Sequence, residues 1–157
     1  MNFTHPAHLE MLIALVDNQV DFLVVGGYAV IYHGYTRATG DMDIWLRPTN
    51  ENKLKLIEVF KKFDFDPEGI NTIAEKDFRE VVIFHIGKEP ERIDFLSKVQ
   101  GLNFEDAFKQ RQSLMVKDHE VSFLHLDDLI ASKLLANRLK DQADVEQLMK
   151  VRRSENE

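Results

Sequence analysis

Apolar and polar positions repeat along the chain with two different periods. In LEMLIALVDN, Leu9, Leu12, Ile13 and Leu15 recur close to i, i+3, i+4 spacing, which predicts an amphipathic helix near the N-terminus. FLVVGG, residues 22–27, is a short β-branched run ended by two glycines, a buried strand that stops where the backbone turns tightly. YAVIYHG then supplies one or two helical turns, with Gly34 placed to close them. DMDIWL alternates, so Asp41, Asp43 and Trp45 share one strand face while Met42, Ile44 and Leu46 share the other. One face is expected to enter the core and the other to face a cleft.

Pro48 and the Thr49–Asn50 pair start a helix in ENKLKLIEVFKKF, with Leu54, Ile57 and Phe60 at helical spacing beneath a charged face. VVIFHI (81–86) and RIDFLS (92–97) read as strands around a turn containing Gly87 and Pro90, and Asp94 interrupts the apolar neighbours Ile93 and Phe95. SLMVKDHEVSFLHL reads as two short strands around Lys117, Asp118 and His119. LDDLIASKLLANRLKDQADVEQLMK reads as helical over residues 126–150, with Lys140 and Asp141 at a junction of two helices, and the polar tail VRRSENE is expected to fray. Strands and helices alternate, so the fold class expected is α/β or α+β: a small mixed β-sheet flanked by helices.

Length sharpens this picture. A chain of 157 residues fits one domain, 1–157, with a core over about 20–100 and C-terminal strands and helices over about 101–150. Such a chain buries roughly two-thirds of the surface its unfolded form exposes, so it needs no staples. It has no cysteine, which removes disulfides, thiolate zinc sites and a cysteine nucleophile; a metal here is held by oxygen or imidazole. The start, MNFTHPAHLE, shows no basic region followed by an apolar one, and no apolar run approaches the roughly eighteen residues of a membrane span, so a soluble cytoplasmic protein is expected. With 27 acidic and 20 basic residues the net charge is −7, which argues against gripping a nucleic-acid backbone over the whole surface. A stripe from Lys53, Lys55, Lys61 and Lys62 leaves room for a local basic patch.

Two aspartates at i, i+2 on one strand face project their carboxylates in parallel, and without a counter-charge their repulsion would raise one pKa. A divalent cation removes that conflict. Hard oxygen ligands favour Mg²⁺ or Mn²⁺, and magnesium commonly combines a few carboxylates with substrate phosphates, so a phosphate-bearing substrate is implied. Gly26 and Gly27, between a strand and a short helix, can aim bare backbone N–H groups at a phosphate. The alternative for Asp41 and Asp43 is a solvated strand edge or a cap cluster; for Asp94 it is a simple pair with Arg92 at i−2.

Two glycines, thirteen intervening residues, Asp-x-Asp and a distant strand aspartate together resemble the nucleotidyltransferase superfamily of DNA polymerase β type. Within it the chain looks most like the minimal nucleotidyltransferases that include toxin-like enzymes of abortive-infection systems. The similarity runs from FLVVGGYAVIYHGYTRATGDMDIW through RIDFL to LIASKLLANRLKDQADVEQL, whose K…R-x-K-D…D pattern is similar to that branch's C-terminal helices. The resemblance implies a nucleotidyltransferase-type fold in which Gly26 and Gly27 hold the triphosphate of an NTP, by family habit ATP. It further implies that Asp41 and Asp43 bind metal, while Asp94 is the third carboxylate, sharing an ion and activating an acceptor hydroxyl. The chemistry implied is in-line attack on the α-phosphorus with departure of pyrophosphate. Gly27 stands where a serine is common, so a hydroxyl contact to phosphate is lost there and backbone donors substitute.

Arg37 and Thr39 are candidates for triphosphate contacts, the alternative for Arg37 being a pair with an acid. Lys133 can reach the cleft to neutralise phosphate, or snorkel out to water. Lys140 and Asp141 match the family's K-D pair but read equally well as a cap and a salt bridge that support the cleft. His33 closes a short helix, and His85 and His125 read as core histidines; none is assigned a role. The acceptor stays open among a tRNA end, a protein hydroxyl and a small antibiotic-like alcohol. The competing function is a non-catalytic nucleotide-binding or regulatory partner in a toxin–antitoxin or antiphage pair.

Overall fold

The structure is a computed structural model that describes residue 3 and residues 5–156. Met1, Asn2, Thr4 and Glu157 lie outside the described residues, and with them the ends of the expected 1–157 domain and parts of the MNFTHPAHLE and VRRSENE readings. The elements run α1 (Pro6–Asp17), β1 (Phe22–Val25), α2 (Gly26–Tyr32), β2 (Met42–Leu46), α3 (Asn50–Lys62), α4 (Pro67–Ala74), β3 (Ile83–Ile86), β4 (Ile93–Leu96), α5 (Phe104–Lys109), β5 (Gln112–Val116), β6 (His119–Phe123), α6 (Leu126–Ala136) and α7 (Leu139–Glu155).

Six strands form one mixed sheet in the order β3-β4-β2-β1-β6-β5. The β1–β2, β3–β4 and β5–β6 pairs are antiparallel, whereas β2–β4 and β1–β6 are parallel. β1, in the middle, is buried at all four positions, as a continuous apolar run should be when both faces are covered. The edge strands β3 and β5 alternate between exposed and half-buried positions.

Buried Asn52 pins the entry to α3. Its side chain accepts from the Asp21 N–H at 2.8 Å and donates to the Asp21 and Arg47 carbonyls, joining the start of β1 to the end of β2. The Thr49 side chain caps the same helix by accepting from the Asn52 N–H at 3.2 Å.

The mixed α/β architecture agrees with the sequence reading, and four details correct it. Leu54, expected in the buried stripe of α3, is 62% exposed; the stripe is Leu56, Ile57, Val59 and Phe60, the set that faces the sheet once Asn52 fixes the helix rotation. The junction of the two C-terminal helices lies ahead of Lys140 and Asp141: Asn137 adopts the left-handed region at φ 52° and returns its N–H to the Lys133 carbonyl, ending α6 before α7 begins at Leu139. VRRSENE does not fray as a whole, since α7 continues to Glu155. Trp45 does not face a cleft: it is buried under α5, edge-on to Phe104, and its indole N–H donates to the Ser97 carbonyl at 3.2 Å. Only the Asp41–Asp43 end of that strand face is open.

Among the described residues no helix is long and apolar enough to cross a membrane.

Candidate active site

The sheet register builds the site. Asp43 pairs with Asp94 across the parallel β2–β4 ladder, Val25 pairs with Asp43 across β1–β2, and His85 pairs with Asp94 across β3–β4. Because paired residues share a face, Val25, Asp43, Asp94 and His85 form one row across four strands. His85 is therefore an exposed edge residue beside Asp94, not the core histidine expected; His125 instead caps α6, its Nδ1 accepting from the Asp127 N–H. The chain leaves β1 at Val25 and turns at Gly26, so the two-glycine turn abuts the aspartate row.

Both glycines are required by what touches them. Gly26 has φ +65°, and a Cβ placed there would overlap the Asp43 carboxylate, lying 2.9 Å from its Cγ. A Cβ on Gly27 would overlap the Thr39 hydroxyl, lying 2.9 Å from Thr39 Cβ and 3.4 Å from Arg37 Nη1. Thr39 thus places a hydroxyl where a side chain at position 27 would have carried one.

Burial pushes the Asp43 carboxyl up to about 6, and the neighbouring charges of Asp94 and Asp41 push in the same direction. Asp94 accepts a hydrogen bond from Arg92 Nε at 2.8 Å, the i−2 pairing foreseen for it. Asp41 Oδ1 is buried with no hydrogen-bond partner. Glu89, on the turn between β3 and β4, has its carboxyl raised first by a hydrogen bond with Asp41 and then by burial. That fourth carboxylate was missed because nothing in KEPER distinguishes it from a surface loop.

The facing wall comes from α6 and α7. Lys133 is buried, with Nζ 3.2 Å from Asp141 Oδ1 and 2.9 Å from Asp144 Oδ2, so it does not snorkel. Arg37 is held at its Nε and Nη2 by the same Asp144, at 2.9 and 3.1 Å. Burial would raise the Asp141 carboxyl, but the hydrogen bonds from Arg138 and Lys133 outweigh it and hold the group below its ordinary value. Asp141 also accepts the Arg138 backbone N–H at 3.2 Å and so caps α7, the supporting role read for it.

Gly26, Gly27, Arg37, Thr39, Asp41, Asp43, Asp94 and Lys133, every site residue singled out from the sequence, line one open cavity of about 700 Å³. Sequence reasoning missed Arg138 and Asp144 on its far wall, and Lys98 beyond β4. The K-D…D pattern was the available signal for Asp144; Lys98 had none.

The carboxylate side of the cavity suits a hard cation. It offers an orphaned buried oxygen on Asp41 and a carboxyl, Asp43, whose burial and acidic neighbours disfavour its charge until a positive partner arrives. Among the described residues no three His, Asp or Glu side chains form a cage able to hold a metal ion unaided. The protein therefore offers part of a coordination shell, the arrangement that magnesium accepts when waters and phosphates complete it.

A family profile described as "Nucleotidyltransferase of unknown function (DUF6036)" matches residues 7–153, from the first turn of α1 nearly to the end of α7. The chain belongs to this family. This nucleotidyltransferase shares its fold with solved structures of low sequence identity. The lincomycin-bound crystal structure of the lincosamide antibiotic adenylyltransferase LnuA superposes with a TM-score of 0.57 at 15% identity, covering 96% of this chain and 99% of that one. An antigenic nucleotidyltransferase-like protein from Paracoccidioides brasiliensis gives 0.53 at 13% identity over 92% of this chain and 74% of that one. The solution structure of the antibiotic-resistance factor ANT(2'')-Ia gives 0.52 at 11% identity over 96% and 91%. No protein of curated function matches the sequence.

Proposed function

We propose that this nucleotidyltransferase transfers a nucleoside monophosphate from a metal-bound nucleoside triphosphate, with ATP the expected donor, to a hydroxyl acceptor. The observation that carries the reading is the Asp43–Asp94 pair, in register on parallel strands and abutting a two-glycine turn in the same cavity as Lys133. A cation held by Asp41, Asp43 and Asp94 supplies, when bound, neutralisation of phosphate charge and polarisation of the reacting oxygens.

The chain's own residues position and balance the reaction. The backbone N–H groups of Gly26 and Gly27, the Thr39 hydroxyl, Arg37 Nη1 and Lys133 Nζ hold the triphosphate against the aspartate row. Asp94, on the side of the row nearer the sheet edge, takes the proton of the acceptor hydroxyl. The acceptor oxygen bonds to the α-phosphorus as the α–β bridging bond breaks, and the electron pair leaves with pyrophosphate. ATP is favoured because a fold neighbour, LnuA, is named an adenylyltransferase. LnuA acts on a lincosamide, which makes a small hydroxylated molecule one acceptor class beside a tRNA end and a protein hydroxyl.

Thermal melting of wild type and Asp41→Asn/Asp43→Asn with Mg²⁺ and a panel of slowly hydrolysed nucleoside triphosphates tests the reading. Stabilisation that requires both metal and the aspartates is expected, with the adenine nucleotide strongest. No shift with any nucleotide at millimolar concentration would favour a non-catalytic partner in a toxin–antitoxin pair instead.

A further inference from the structure

His8 is a fully buried ionisable residue that lies outside the cavity. It sits in the first turn of α1, and both ring nitrogens are engaged: Nδ1 is 2.8 Å from the Tyr28 hydroxyl and Nε2 is 3.2 Å from the Arg92 carbonyl. A carbonyl oxygen only accepts, so Nε2 carries the hydrogen and Nδ1 accepts from Tyr28. The imidazole also packs edge-on against the Tyr28 ring, with centroids 5.5 Å apart.

These two partners lie on two of the segments that carry the site, and the Arg92 carbonyl links them to the third. Tyr28 follows Gly26 and Gly27 directly in α2. The Arg92 carbonyl also accepts the Met42 N–H at 3.1 Å, and Met42 lies between Asp41 and Asp43. Arg92 stands two residues before Asp94, and its side chain bonds the Asp94 carboxylate. One imidazole therefore ties the glycine turn to the point where β2 and β4 begin.

We propose that His8 is a positioning residue for nucleotidyl transfer, holding the glycine turn in register with the strands that carry the three aspartates. This rests on the reading of the cavity given above and adds to it a residue that touches no substrate. A hydrophobic anchor at position 8 would fill the space, but only a side chain that both donates and accepts can fix two segments at once. Misplacing the phosphorus relative to the carboxylates lowers turnover more than it lowers ground-state binding.

The test combines amide hydrogen exchange in the ligand-free protein with the rate and half-saturation of pyrophosphate release from Mg²⁺-ATP, water being the default acceptor. For His8→Phe, exchange at residues 26–28 and 42–43 is expected to rise at least about tenfold, with β5 and β6 unchanged. The limiting rate is expected to fall at least about tenfold while half-saturation stays within about threefold. Tyr28→Phe, which removes one oxygen, should reproduce the rate loss; adding it to His8→Phe should cost little more, and His8→Gln should restore part of the rate. If His8→Phe does not fold, Tyr28→Phe with wild-type exchange at 26–28 and wild-type rate overturns the proposal. A rate loss that merely follows global melting across the variants overturns it too. A wild type that neither binds nor turns over any nucleotide overturns the functional reading and the positioning role with it. An active wild type matched by His8→Phe overturns the positioning role alone.

Discussion

Asp43 and Asp94 stand side by side on parallel strands, and the fold holds Asp43 near a carboxyl pKa of 6 to keep them there. Moving that carboxyl from 3.8 to about 6 penalises its charged form by roughly 3 kcal/mol in the metal-free protein. Asp43→Asn removes the penalty, so the apo variant is expected to be up to about 3 kcal/mol more stable than wild type at pH 7. It should also lose all stabilisation by Mg²⁺ with nucleotide. Denaturant titration with and without Mg²⁺ checks both halves.

The same carboxyl gives the pH dependence a definite sign. Its folded pKa lies above its unfolded one, so its favourable contribution is complete below pH 3.8, declines as pH rises towards about 6, and is absent above that. The stability advantage of Asp43→Asn over wild type should therefore shrink as pH is lowered from about 6 towards 3.8. Melting of the pair in parallel over that range measures it.

His33 acts in the opposite direction. Burial holds its imidazole below 6.5, against the pull of the Leu124 carbonyl, to which Nε2 donates at 2.7 Å. The unfolded state then binds the extra proton first, so stability is lost as pH falls below 6.5. His33→Gln keeps a donor without a titration, and the decline between pH 6.5 and 5.5 should be smaller in it than in wild type.

Asp144 holds two cations from distant parts of the chain, Lys133 and Arg37, and is itself almost fully buried. Asp144→Asn takes the carboxylate from Arg37 and leaves Lys133 with Asp141 alone, and is expected to cost roughly 3 kcal/mol, the lower end for a broken buried pair. Nucleotide affinity should fall with it, because the two groups proposed to hold the triphosphate lose the carboxylate they share. Chemical denaturation and nucleotide titration read the two effects.

Gly27 and Thr39 compete for one volume. Gly27→Ser alone should cost about 1–3 kcal/mol by overpacking and weaken nucleotide-induced stabilisation. Combining it with Thr39→Gly should recover both, since the hydroxyl then comes from position 27. Melting of the two single variants and the double variant with Mg²⁺-nucleotide decides it.

The aspartate row was legible because it is written locally. A β-branched run ending in glycines and a period-two strand carrying Asp41 and Asp43 each state their structure within a few residues, and the family resemblance added Asp94. Elements whose boundaries depend on a single residue or on distant contacts were not. Asn137 breaks a helix whose apolar pattern runs on without interruption, because one residue takes a left-handed conformation. The short α4 and α5 begin at Asp66 and Asn103 caps that look like ordinary loop residues until the chain ahead of them packs. The Arg37–Asp144 pair spans 107 positions, a distance over which no periodicity speaks.

That span also fixes the order in which the cavity can be completed during synthesis. The glycine turn and all three aspartates emerge from the ribosome before α6, and Lys133 and Arg37 wait for Asp141 and Asp144 of α7. A nascent or truncated chain that stops at the Asn137 break would hold the full carboxylate set and Lys133, but would lack the α7 acids that hold Lys133 and Arg37 in place. The proposed chemistry is therefore expected to wait until α7 has been made and packed, so that docking of this helix is a late step in assembling the site.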